Sequence, residues 1–132
     1  MGDPLILETT FLIDFERERK SSAGPTIEFL RANVDSQLLI THTIAGELAC
    51  GASHSTADRW MSFCRPFLTL EWRTEVDWRY GQIYRYLQGQ GRLIGANDLW
   101  IAATALVYGH PVVTANKEHF RRVPELEVLT YR

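Results

Sequence analysis

The sequence predicts an α/β fold, a three-layer α/β/α sandwich around a short, mostly parallel sheet, and three observations predict it. Short apolar runs at residues 5–7, 38–41 and 112–114 show no alternation of polar and apolar residues, as expected of strands covered on both faces. Stretches with helical spacing separate those runs, so crossovers rather than hairpins connect the strands. A chain of 132 residues with 45% hydrophobic and 23% charged content is one domain, residues 1–132, able to bury a core without metal or disulfide staples.

The first strand candidate, Leu5 to Leu7, ends in Glu8, and residues 9–17 carry the apolar spacing of a helix. Residues 21–25 include Gly24 and Pro25 and break that pattern, after which residues 26–33 resume as an amphipathic helix with Ile27 and Leu30 on one side. Residues 38–41 form the second strand, and residues 43–51 a short helix stopped near Gly51. Residues 57–64 are helical, 67–70 give a third strand, and 74–90 a long helix with Val76, Tyr80, Ile83 and Leu87 along one face. From Leu99 to Ala115 there is no Asp, Glu, Lys or Arg, so the next helix is expected inside the protein. Asn97 is its expected N-cap, which places Asp98 where the first-turn N–H groups and the helix dipole favour a carboxylate. Residues 112–114 then form a buried strand, 116–120 a turn or short helix, and 126–129 an edge strand.

Cys50 and Cys64 show no metal or redox spacing and are expected to be reduced, packed thiols. No apolar run reaches the length of a membrane span and the first residues lack the pattern of a signal peptide, so a cytoplasmic protein is expected. A formal net charge of -2 gives no global attraction to nucleic acid, which leaves that role to a local basic patch or to bound cations.

In open α/β sheets, ligands gather outside the carboxyl ends of the strands. Glu8, Glu47, Asp98 and Asn116 all fall there. Each has a structural alternative, as a cap or a partner of a helix dipole, although Glu47 lacks a capping box because Ile44 stands three residues before it. Several carboxylates on one sheet edge repel one another unless they are protonated or bridged by cations. An oxygen-rich set without Cys or His favours Mg²⁺ or Mn²⁺ over zinc, and such ions support phosphodiester hydrolysis.

The same residues resemble the PIN-domain ribonucleases, and among them the VapC-type toxins of bacterial toxin–antitoxin pairs. Residues 7–14, from Leu7-Glu8-Thr9 to Asp14, are similar to the family's opening strand and acidic signature, and residues 40–51 around Glu47 to its second acidic motif. Residues 94–103 around Asn97-Asp98 resemble the third, and Val113-Thr114-Ala115-Asn116 with His119-Phe120 the usual end. The resemblance implies a PIN-type sandwich, metal-binding carboxylates at Glu8, Glu47 and Asp98, a catalytic set of these with Asn116, and supporting roles for Thr9 and Thr114. It also implies an RNA substrate, a VapB-type antitoxin that blocks the site, and a homodimer.

Position 8 departs from the family, which normally carries Asp there. The extra methylene moves the carboxylate by roughly 1.5 Å, against a catalytic tolerance of about 0.5 Å. Either the site tolerates Glu8 or the longer acid attenuates a harmful nuclease; the extreme of the second case is a weak scaffold that binds RNA or antitoxin without cutting. A phosphoaspartyl switch is the third class, and it is disfavoured because Glu8-Thr9 stands where such a fold needs an Asp nucleophile. Arg17 and Lys20 after the first helix, with Lys117 and Arg121 after Asn116, are the candidate RNA contacts. Asp14 is expected at the surface or behind the site, His119 as a packed or capping residue, and the aromatics between Trp60 and Tyr86 mainly as core or partner surface.

Overall fold

The computed structural model describes residues 2–132. Five strands form one sheet in the order β3-β2-β1-β4-β5, and every pairing is parallel. The strands are β1 (Leu5–Leu7), β2 (Leu38–Thr41), β3 (Leu68–Leu70), β4 (Val112–Val113) and β5 (Val128–Leu129). The sheet is therefore wholly parallel, where the sequence predicted a mostly parallel one. Ile6 pairs with Leu39 on one side and Val112 on the other, so β1 lies at the centre, and all three of its side chains are buried.

The helices are α1 (Thr9–Glu18), α2 (Pro25–Ala32), α3 (His42–Ala49), α4 (Ala57–Cys64), α5 (Thr74–Gly89), α6 (Ala96–Tyr108) and α7 (Lys117–Phe120), with a 3-10 turn at Ala52–His54. From β1 the chain steps outward to β2 and β3; it then crosses back over them to β4. The helices pack as α1 on α2 and α5 on α6, with α3 against α1, α4 and α6. The strand order reverses between β1 and β4, and in such sheets the crevice at the reversal is where ligands bind.

Leu99 and residues 101–105 are buried, as the charge-free run predicts. The cap of α6 differs from expectation: Gly95 is the N-cap, and Asn97 lies inside the first turn with its side chain turned elsewhere. At the other end Gly109 takes φ 73°, a left-handed conformation that glycine adopts at no steric cost and that stops the helix. A buried acid organises the α1–α2 corner. Glu18 Oε1 accepts from Thr26 N at 2.9 Å and Thr26 Oγ1 at 2.8 Å, capping α2 from outside. Gly24, at φ 141°, passes so close that a Cβ there would sit 2.1 Å from the Glu18 carboxylate.

One further expectation is corrected and another is narrowed. Cys50 is exposed rather than packed, because it falls at the C-cap of α3, where the chain turns outward; its Sγ donates to Gly46 O. Of the two places expected for Asp14 the surface is excluded and the one behind the site stands: the C-terminal residues fold back over α1, so that Tyr131 Oη donates to it at 2.6 Å, Arg17 Nη2 at 2.9 Å, and Arg132 Nε lies 3.3 Å away. Phe63 and Phe67 belong to the core as expected, whereas Trp72, Trp78 and Tyr86 stand substantially exposed.

Candidate functional site

The end of β1 delivers Glu8 into the crevice at the strand reversal. Glu8 is the N-cap of α1, 3% exposed, and its side chain folds back over the first turn. Oε1 accepts from Thr10 Oγ1 at 2.7 Å and from Thr114 Oγ1 at 2.5 Å, while Oε2 receives only Thr10 N at 3.3 Å. Both hydroxyls are aimed by the backbone. Ala115 N donates to Thr10 Oγ1 at 3.0 Å and Asn116 N to Thr114 Oγ1 at 2.8 Å, so each hydroxyl accepts from the backbone through one of its two lone pairs while its hydrogen is directed to Glu8. The longer side chain at position 8 thus spans from α1 to the loop after β4.

Glu47 approaches from α3, whose N-cap Thr41 accepts from Ile44 N and so fixes the helix at the end of β2. Thr9 Oγ1 donates to Glu47 Oε1 at 2.5 Å, and Asn97 Nδ2 donates to Oε2 at 3.3 Å. This explains why Asn97 does not cap α6: its amide reaches across to α3 instead. Asp98, in the first turn of α6, has Oδ2 3.0 Å from His119 Nδ1 and 3.4 Å from Asn116 Nδ2. Among the described residues Oδ1 of Asp98 has no hydrogen-bond partner.

The sequence-predicted residues Glu8, Thr9, Glu47, Asp98, Thr114 and Asn116 therefore meet at one edge of the sheet, linked through short hydrogen bonds between elements. Thr10, Asn97 and His119 were missed as site residues. Thr10 and Asn97 each stood beside a predicted acid, which is the signal that could have found them; His119, read as a packed or capping residue, instead contacts Asp98. The basic candidates divide. Arg17 is committed to Asp14, because the two lie one helical turn apart, and so it is removed from the acidic edge. Lys20 is exposed beyond the end of α1, and Lys117 and Arg121 are exposed on either side of His119.

Electrostatically the site is unbalanced. Burial pushes the Glu8 carboxyl above the usual range; the hydrogen bonds from Thr114 and Thr10 pull it back in part, and the charge of Asp98 adds to the rise. Among the described residues no lysine or arginine forms an ion pair with Glu8, Glu47 or Asp98. Nor do three carboxylate, imidazole or thiol groups among them already stand as a closed metal cluster, because Glu8 and Glu47 are turned onto hydroxyls and an amide. The donors themselves fit a hard divalent cation: carboxylate oxygens paired with no lysine or arginine among the described residues, one of them held buried against its own charge.

Comparison with known proteins places this geometry. The PIN domain family model matches residues 5–126. A ribonuclease VapC of Rickettsia bellii is 32% identical, with 96% of this chain and 95% of that protein aligned. Among solved structures, VapBC-1 from nontypeable Haemophilus influenzae superposes with a TM-score of 0.81 at 22% identity over 98% of both chains. A toxin–antitoxin complex from Klebsiella pneumoniae contains a chain with a TM-score of 0.72 at 19% identity, over 97% of this chain and 98% of that one.

Proposed function

This chain belongs to the PIN domain family, and on that premise we propose that it is a Mg²⁺- or Mn²⁺-dependent endoribonuclease toxin of the VapC type, restrained by a VapB-type antitoxin and slowed by Glu8. The observation that carries the reading is the gathering of Glu8, Glu47 and Asp98 at the strand reversal, with no lysine or arginine paired to them among the described residues. Glu8, Glu47 and Asp98 are the residues that hold the cation, with Asn116 beside Asp98 and with Thr9 and Thr114 fixing two of the acids. A bound divalent ion supplies an activated water and charge stabilisation for the leaving oxygen. The chain's own part is to orient the carboxylates, and Lys117 and Arg121, exposed shortly after Asn116 in the chain, are the basic side chains offered to a phosphate backbone.

Attenuation follows from how Glu8 is held. Two hydroxyls fasten one oxygen and the carboxyl's raised proton affinity opposes ionisation, so its readiness to bind a cation is lower than that of a free carboxylate. The same observation favours the second reading, a scaffold that binds antitoxin or RNA with little cleavage. The antitoxin assignment draws on the toxin–antitoxin complex among the structural relatives, and a basic antitoxin side chain suits the acidic pocket. A homodimer acting in the cytoplasm completes the proposal; no helix among the described residues is long and apolar enough to cross a membrane.

RNA cleavage by the wild type and by Asp98→Ala, in Mn²⁺ and in chelator, tests the nuclease reading. Cleavage that requires the ion and falls about a hundredfold or more in the variant is expected. Equal products from both proteins, or none from the wild type, favour the scaffold.

A further inference from the structure

His119 sits on α7, a four-residue helix whose orientation is fixed by fully buried Phe120. Its Nδ1 lies 3.0 Å from Asp98 Oδ2, a contact that spans 21 residues of sequence. Asn116 Nδ2 lies 2.9 Å from the same ring nitrogen and 3.4 Å from the same carboxylate oxygen. A carboxylate only accepts, so we assign the hydrogen of the Asp98–His119 bond to Nδ1; Nδ1 and the Asn116 amide are then both donors that converge on Oδ2, with no hydrogen bond between them. The ring caps no helix, and its side chain is 41% exposed, so it is not buried packing either.

We propose that His119 is a positioning residue for Asp98. Its Nδ1–H fixes Oδ2 and so sets the plane of the carboxylate, leaving Oδ1, which has no hydrogen-bond partner among the described residues, as the oxygen available to a cation. Partners of this kind orient a metal-binding carboxylate before the ion arrives, and their loss typically weakens metal affinity about 10–100-fold. The role needs a donor at one place and no change of protonation. Asn116 shares it, but at the longer distance it cannot replace the imidazole.

The inference rests on the proposed metal-dependent site, and three variants separate the two. In asparagine the side-chain amide nitrogen falls near the place of Nδ1, whereas the longer glutamine matches the place of Nε2. Mn²⁺ affinity measured by calorimetry on the full chain is expected to fall about 10–100-fold in His119→Ala and His119→Gln and to be largely restored in His119→Asn. Melting temperatures recorded alongside show whether each variant remains folded. In RNA cleavage, His119→Asn should likewise recover most of the rate lost in His119→Ala. Wild-type protein that binds no Mn²⁺ overturns the metal site and this inference together. Wild type that binds Mn²⁺ while His119→Ala binds it equally overturns the inference alone, as does a failure of asparagine as complete as that of alanine. If alanine compromises folding, equal Mn²⁺ affinities for the asparagine and glutamine variants overturn it.

Discussion

Helix α1 and its N-cap carry three buried acids, and two of them, Glu8 at the start and Asp14 within, 3% and 7% exposed, are stabilised in opposite ways. Burial works to raise the Asp14 carboxyl, but the hydrogen bonds from Tyr131 and Arg17, with the charges of Arg132 and Arg17, together outweigh it and hold Asp14 below the usual carboxylate range. At Glu8 burial prevails: neutral hydroxyls are its main partners, Asp98 is the charge that acts on it, and the carboxyl is pushed up. Burial alone does not distinguish a structural acid from a functional one, and nor does a missing cation alone, since Glu18 is buried, held by Thr26 N and Oγ1, and caps α2; Glu8 differs in being held by neutral groups beside Asp98 at the strand reversal. Asp14 is complete within the chain. Glu8 acquires its counter-charge only from outside.

Substitutions can break this contrast, beginning with the largest expected effect. Glu8→Asp withdraws the carboxylate from Thr10 and Thr114 by roughly 1.5 Å, and Mn²⁺-dependent RNA cleavage should rise at least about tenfold, or about 1.4 kcal/mol in barrier. Equal rates, measured as initial velocities on one RNA, mean that Glu8 does not attenuate. Asp14→Asn removes the charge that holds Tyr131, Arg17 and Arg132, and should lower unfolding free energy by about 1–2 kcal/mol in urea titrations while leaving cleavage unchanged.

The smallest effect concerns pH. A carboxyl raised in the folded state binds its proton more tightly there than in the unfolded chain, so Glu8 makes the metal-free protein less stable as pH rises from the ordinary value of 4.5 through its raised one. Asp14 acts in the opposite sense: its contribution is present above the ordinary value of 3.8 and is lost as pH falls through its lowered one. Glu8→Gln keeps an oxygen for both hydroxyls and removes the buried charge, so the melting temperature at neutral pH should rise by a few degrees and the Glu8 part of the slope should vanish. An unchanged profile would remove the claim that Glu8 is held against its charge.

The order of strands and helices was legible because apolar runs, helical spacing and the Gly/Pro breaks at residues 21–25 and 109–111 act locally. Glu8, Glu47, Asp98 and Asn116 were legible because strand ends in a parallel sheet point at one edge, and the family resemblance added Thr9 and Thr114. The cross-links were not. Thr10 meets Ala115 across 105 residues and Asn97 meets Glu47 across 50, and nothing local in the sequence encodes such pairings. His119 was passed over because its neighbours in sequence, Glu118 and Phe120, say nothing of Asp98. The place of Asp14 was left open between surface and interior for the same reason, since Tyr131 and Arg132, which bury it, stand at the other end of the chain.

The central claim is that the acids at the strand reversal are completed by a divalent cation. Anomalous diffraction from crystals soaked in Mn²⁺, at concentrations that support RNA cleavage, tests it most directly. The account predicts a peak bonded to carboxylate oxygens of Asp98 and Glu8, and none at Asp14. A peak elsewhere, or no peak between Asp98 and Glu8, would contradict it.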